Sequence, residues 1–436
     1  MKTNARRLAL ELLCRAEREN RFVNLSLPYV MQSDLSPEDK NLLVALLYGV
    51  TEKRVSLDYY ISVLSGRSKD KIDEETLGIL RMGLYQLMYM DKIPSFAAVN
   101  ESVKLTKNKG EASFVNAVLR SYERKKDELT PPERERNLKR HLSIKYSFPQ
   151  NIVKHFISQY GEKEAEQILS AFCRELPLSL RVNTLKISRD ELFSRLKASG
   201  VKCEKSELSP NGILVYDKTS PEALYGFSDG LFFVQDIASQ LECEALMVKE
   251  GDLLIDVCAC PGGKSFGAAM KMNDRGRVIS FDIHESKLSL IEKGAKRLSI
   301  SSVEAKAHDS REALAEYIEK ADCVICDVPC SGLGVLAKKP DLRHREFNFE
   351  ELTALSREIL SASARYVKKG GSLVFSTCTL NKDENEETVK DFLLKNPDFT
   401  PSDFVIGGLE SENGMLTLFP HKQGCDGFFI SRMVRL

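Results

Sequence analysis

Two thiols and a carboxylate are placed where chemistry is usually done. In "CVICDVPCSGLG" (323–334) an apolar run stops at Asp327, and Cys330 follows in a loop of small residues. In "SLVFSTCT" (372–379) a second apolar run stops beside Cys378. A thiolate can add to an electron-poor carbon, and a nearby carboxylic acid or carboxylate can balance the charge that develops. A third run ends in "DVCACPGGKS" (256–265). There Gly262 and Gly263 let the backbone approach a ligand, at a helix start that offers free N–H groups. The G-x-G-x-x-G pattern is absent, and "GGKS" lacks the first glycine of a P-loop. Asp282 ends the next strand about twenty residues on, where an acid can accept both hydroxyls of a ribose. Asp309, in "AKAHDSRE", ends a further strand-like stretch, where it could hold an adenine amino group. Together these features suggest S-adenosylmethionine. The plainer reading of each alone is a tight βα turn with ordinary helix caps.

Two thiols, an acid and a methyl donor fit methylation of carbon. C5 of a pyrimidine is too weak a nucleophile to take a methyl group unaided. A thiolate adding to C6 makes C5 enamine-like. Asp327 would then activate the base near N3, and a second thiol would help to end the covalent stage. Other uses of the cysteines compete. Cys258-x-Cys260 and Cys323-x-x-Cys326 imitate metal-ligand pairs, but i and i+3 in a strand point to opposite faces. The expectation is no metal. A redox disulfide between Cys330 and Cys378 is a further alternative.

The elements that must position these groups follow from periodicity. Residues 1–130 read as all-helical, with apolar residues at Ala5, Leu8, Ala9, Leu12 and Ala16, and again at Leu77, Leu80, Leu84, Leu87 and Met88. The charged stretch "ERKKDELTPPERERNLKR" reads as a linker. Residues 141–230 mix two strand-like runs with a helix capped by Ser188, a small α+β unit. From 231 to 436 continuous apolar strands alternate with helices, which predicts an α/β domain with a covered parallel sheet. Ligands in such sheets bind beyond the carboxyl ends of the strands, where the clusters above sit.

The chain has 436 residues, no tryptophan, and equal numbers of basic and acidic residues. Residues 1–140 hold 25 Lys and Arg against 20 Asp and Glu, which permits RNA contact without requiring it. The charged N-terminus and the lack of a long apolar window point to the cytoplasm, where eleven cysteines stay mostly reduced.

"DVCACPGGKS", "DVPCSGLG" and "FSTCTLNKDENE" resemble the motifs of the RNA (cytosine-5) methyltransferases of the NOL1/NOP2/Sun family. "SFVNAVLR", "LRVNTLK", "FFVQDIASQ" and "DGFFISRM" extend the resemblance over essentially the whole chain. It implies a Rossmann-like class I SAM methyltransferase domain, preceded by an all-α NusB-like domain and a small α+β RNA-binding-like subdomain. It also implies that Cys378 is the nucleophile and that Cys330 promotes release. DNA cytosine methyltransferases use a Pro-Cys thiol instead, and carry a target-recognition insertion not seen here. The implied cofactor contacts are Cys258, Ala259, Cys260, Pro261, Gly262, Gly263, Lys264, Asp282, Asp309 and Asp327. Cys260 and Ser265 stand where alanine and threonine are common, and His344 where relatives often carry tryptophan. The subgroup with a NusB-like domain acts on a cytosine of 16S rRNA. The implied partner is therefore 16S rRNA or a small-subunit assembly intermediate, met by a monomer with no membrane contact. A C5 atom is unreachable in a stacked helix, so the base must be unpaired or flipped. Candidate RNA contacts are Arg181, Asn183, Lys338, Lys339, Arg343 and Arg345, with Arg6, Arg7 and Lys107 weaker; for each, a solvated charge is the plainer reading. The "DENEE" run (383–387) reads as a helix start with acids suited to the dipole. The rival function is a non-catalytic RNA-binding assembly factor, which would have no need of Cys330 and Cys378.

Overall fold

The computed structural model describes residues 4–436, and the chain divides into two compact units. The first comprises residues up to 173 together with 338–346. It is helical: α1 (Ala5–Arg18), α2 (Leu27–Gln32), α3 (Pro37–Ser65), α4 (Glu74–Tyr89), α5 (Ser95–Val103), α6 (Lys109–Lys125), α7 (Leu138–Tyr146) and α8 (Gln150–Ala171). Local chemistry sets the helix starts. Asn4, Ser36, Asp73 and Asn108 each accept backbone N–H bonds from the first turn, satisfying donors that the helix itself cannot. The apolar stripes of α1 and α4 meet α3 around Leu8, Leu12, Leu43, Leu47, Leu80 and Leu84, all buried. The residues read as a linker are irregular only from 129 to 137. Helices α7 and α8 lie in the segment expected to be α+β, yet they join the helical unit. Ser56 Oγ donates to the Ile144 carbonyl at 2.5 Å, tying α7 to α3.

The second unit, 174–337 and 347–436, holds both sheets. The smaller is built from β1 (Leu178–Val182), β2 (Cys203–Lys205), β3 (Gly212–Val215) and β4 (Phe232–Val234), in the antiparallel order β2-β3-β1-β4. One face is covered by α9 (Arg189–Ala198) through Leu192 and Leu196. As expected, Ser188 caps this helix, accepting from Glu191 N.

The larger sheet begins after α10 (Ile237–Ala245). Its chain order is β5 (Leu253–Asp256), α11 (Gly263–Lys271), β6 (Arg277–Asp282), α12 (Glu285–Leu298), β7 (Val303–Ala307), β8 (Ala321–Asp327), α13 (Phe349–Ala364), β9 (Val367–Thr377) and α14 (Glu386–Lys395). Then follow β10 (Phe399–Pro401), the small ladder β11 (Val405–Ile406) with β12 (Leu409–Glu410), β13 (Met415–Leu418), α15 (Pro420–Gln423) and β14 (Phe428–Arg435). The spatial order is β10-β14-β9-β8-β5-β6-β7, with β13 also on β14. Strands β5 to β9 are parallel, as their apolar runs predict. β14 runs antiparallel to β9, so the sheet is mixed rather than parallel. Along β8, Cys323 and Ile325 pack into one core and Val324 and Cys326 into the other, so Cys323 and Cys326 face opposite sides of the sheet. The chain steps outward from β5 through β6 to β7, then crosses back to β8 and β9. At such a reversal ligands bind beyond the carboxyl ends of the strands, here those of β5 and β8.

Candidate functional site

Register brings the expected groups together. β8 and β9 pair with Asp327 opposite Ser376, so the loops carrying Cys330 and Cys378 leave neighbouring strands at the same level. The two sulfur atoms lie 3.4 Å apart, in contact but unbonded. Both thiols are half-buried. The hydrogen bond to Cys378 and burial push the Cys330 thiol well above its ordinary value.

Asp327 is held on both sides. One carboxylate oxygen accepts from Ser376 Oγ at 2.9 Å, and the other is paired with the Lys264 ammonium. Lys264 comes from the Gly loop and also lies 3.2 Å from Glu242, a fully buried acid on α10. Ser376 Oγ is 2.8 Å from Glu242 as well. Burial pushes Glu242 up to about 8, against the pull of Lys264. Burial also pushes Asp256 up to about 6, against the hydrogen bond from Ser265. Burial alone would lower Lys264, but Asp327 and Glu242 outweigh it and keep the amine charged.

The Gly loop has the geometry of a cradle. Gly262 caps α11 with φ +105, and a Cβ there would lie 2.5 Å from the Phe266 ring. Ala259 N donates to the Phe281 carbonyl, pinning the loop to β6. Ser265 fills its threonine-like role, donating to Asp256 at 2.7 Å and accepting from Ser280 at 2.7 Å. At the end of β6, one oxygen of Asp282 accepts from His284 N at 2.9 Å; its other oxygen has no partner among the described residues. Gln235 Nε2 is a buried donor without a partner, close to Gly263. An acid with one oxygen open and an unpaired buried donor beside a glycine loop fit an adenosyl ligand. Asp309 is already occupied by a forked pair with Arg311, whose hydrogen bonds lower it to about 2.

Of the expected RNA contacts, Arg181, Asn183 and Arg343 are buried and structural instead. Arg181 is buried on β1 and bonds Gln235, the Gln240 carbonyl and Glu244. Asn183, also buried, ties the Gly230 and Leu298 carbonyls together. Arg343 is fully buried, 4.1 Å above the Phe148 ring, and donates to the Phe172 carbonyl. Arg345 donates to the Asn20 carbonyl and lies over Phe22. His344 bonds the Thr51 carbonyl, and burial lowers it to about 3, so it stays neutral. Arg6 bonds Gln86, while Arg7 and Lys107 pair with Glu75. Lys338 and Lys339 remain exposed. Sequence reading missed Glu242 and Ser376, whose partners are remote in the chain. Among the described residues, no three His, Cys, Asp or Glu side chains are grouped as a metal would need.

The chain is similar to known proteins over its whole length. Residues 243–434 match the family model for 16S rRNA methyltransferase RsmB/F, 3–124 the NusB family, and 148–220 the RsmF/B-like ferredoxin-like domain. A probable ribosomal RNA small subunit methyltransferase B of Bacillus subtilis is 35% identical over 99% of both chains. The chain belongs to the ribosomal RNA small subunit methyltransferase B family. A Synechocystis member of that family is 34% identical, again over 99% of each chain. The crystal structure of PH0851 matches 99% of this chain and 98% of its own with TM-score 0.80 at 25% identity. NSun6 from Pyrococcus horikoshii, solved with the S-adenosylmethionine analogue SFG, matches 66% of this chain and 99% of its own with TM-score 0.59 at 25% identity. Membership makes the protein an S-adenosylmethionine-dependent rRNA methyltransferase.

Proposed function

We propose that this methyltransferase acts on C5 of an unpaired cytosine in 16S rRNA, in the cytoplasm, through a covalent bond between Cys378 Sγ and C6. The 3.4 Å approach of Cys330 and Cys378 carries this reading, because two thiols in one crevice have no use in direct methylation of a heteroatom. Bound S-adenosylmethionine supplies an electrophilic methyl group. Cys258 to Lys264 and Asp282 would hold it, while Asp309 would first have to exchange Arg311 for the adenine.

The protein's own groups divide the remaining work. Cys378 loses its thiol proton to solvent and forms the S–C6 bond, pushing electrons toward C5 and N3. Asp327, clasped by Lys264 and Ser376, would face N3 and pass a proton from the Lys264 ammonium to it, offsetting the negative charge that develops on the ring. After C5 is methylated, a water molecule takes its proton, the C5–H electron pair re-forms C5=C6, the S–C6 bond breaks with its electron pair returning to Cys378, and Cys330 aids this release by giving its proton to the departing sulfur. Lys338 and Lys339 are exposed cations that would meet the RNA backbone.

RNA containing 5-fluorocytidine tests the reading, because fluorine cannot leave as a proton. The parent chain should give a stable adduct, Cys378→Ala none, and Cys330→Ala an adduct that accumulates even on ordinary RNA. Trapping that survives loss of Cys378 and needs Cys330 would reverse the roles. No adduct with any variant, together with unchanged RNA binding, would favour an assembly factor.

A further inference from the structure

The acidic run after Cys378 is not merely a helix start. Glu384 lies outside α14, is fully buried, and points back toward the loop after Cys330. Its carboxylate accepts from Ser331 N at 2.8 Å, from Ser331 Oγ at 2.6 Å and from Asn381 Nδ2 at 2.9 Å. Since Ser331 Oγ gives its proton to Glu384, it must accept one from Thr379 Oγ1, which lies 2.7 Å away. Ser331 directly follows Cys330, and Thr379 directly follows Cys378. Asn385 completes the bracket: its amide oxygen accepts from Thr377 Oγ1, and its Nδ2 donates to the Thr379 carbonyl at 3.0 Å. A single buried acid thus joins the residues next to both thiols. A buried carboxylate without a cation is costly unless several donors face it, and here three do.

We propose that Glu384 is a positioning residue that fixes Cys330 against Cys378 and so governs release of methylated RNA. The inference rests on the C5 reading above. Glu384 meets neither substrate nor cofactor; it acts through Ser331. Without the clamp the Cys330 loop drifts from Cys378, while Cys378 stays on its strand end. The enzyme should then add to the base and methylate it, but part from it slowly.

The test compares Glu384→Ala, Glu384→Gln and Ser331→Ala in the full chain, on ordinary and 5-fluorocytidine RNA. Turnover of Glu384→Ala and Ser331→Ala should fall about 100-fold, the usual cost of misplacing a reacting group by near 1 Å. Both should accumulate covalent protein–RNA adduct on ordinary RNA, as expected of Cys330→Ala, with unchanged S-adenosylmethionine affinity. Glu384→Gln, which keeps one oxygen for Ser331, should recover part of the turnover. General loosening cannot produce this pattern, because it lowers adduct formation. If Glu384→Ala does not fold, Ser331→Ala alone decides, since it removes only one oxygen. Parent-like turnover in the variants, or loss of trapping on fluorinated RNA, overturns the clamp. Failure of the parent itself to trap overturns the C5 reading and the clamp with it.

Discussion

Lys264 sits among more negative charge than one cation neutralises. Asp327, Glu242 and Asp256 surround it, and Glu242 and Asp256 are fully buried. Ser376 has one hydroxyl proton and two carboxyl neighbours, so the arrangement is satisfied when Glu242 itself carries a proton. Removing the cation should be severe: Lys264→Met is expected to cost about 3–5 kcal/mol, read from denaturant unfolding, because it strands buried acids. The pH dependence has a definite sign. Glu242 rises from 4.5 to about 8 on folding, and Asp256 from 3.8 to about 6. Groups raised in this way favour the fold fully below their unfolded values, and the contribution is lost as pH rises through the folded ones. Urea midpoints should therefore fall between about pH 5 and pH 8, and Glu242→Gln should flatten that fall. A flat profile in the parent would show that the acid is not buried in its neutral form.

Among the elements, two glycines set the fine placement of the site. Gly334 N donates to the Cys378 carbonyl at 3.0 Å, and Gly427 N donates to Gly334 O at 2.9 Å. A Cβ on Gly334 would lie 1.8 Å from the Gly427 carbonyl oxygen. Gly334→Ala should force the loops apart and cut kcat by about 100-fold, while cofactor affinity holds. Gly262→Ala should do the reverse. It strains a backbone at φ +105 by about 1–3 kcal/mol and should weaken S-adenosylmethionine binding roughly tenfold in titration calorimetry. The parallel strands were legible because both faces are buried, which leaves uninterrupted apolar runs such as "CVIC". The strand ends then located Asp282, Asp327, Cys330 and Cys378. The antiparallel β14 was not legible as such, since "FFISRMVR" carries no sign of its direction. The clamp was hidden for another reason: Glu384 and Ser331 are 53 residues apart, and only the pairing of β8 with β9 joins them.

For the whole molecule, the arginines teach how charge misleads. A guanidinium read from sequence is assigned to solvent or RNA by default, yet Arg343 spans from the Glu52 carbonyl to the Phe172 carbonyl across the Phe148 ring. None of those partners is near it in sequence. Arg343→Ala should destabilise the helical unit by about 3 kcal/mol or more, through the cavity and the stranded carbonyls, with the loss visible in thermal unfolding. Asp341 adds a second tie, accepting from Val23 N at 3.0 Å. The helical unit therefore includes a short segment, 338–346, that is encoded far downstream of residue 173. During synthesis at about 5–20 residues per second, the ribosome delivers the last piece of this unit on the order of ten seconds after the rest. Until then Phe148, Phe172 and the Thr51 carbonyl lack their covers, so a fragment cut at residue 173 should melt below the intact unit. Adding a peptide of residues 338–346 should return part of the difference.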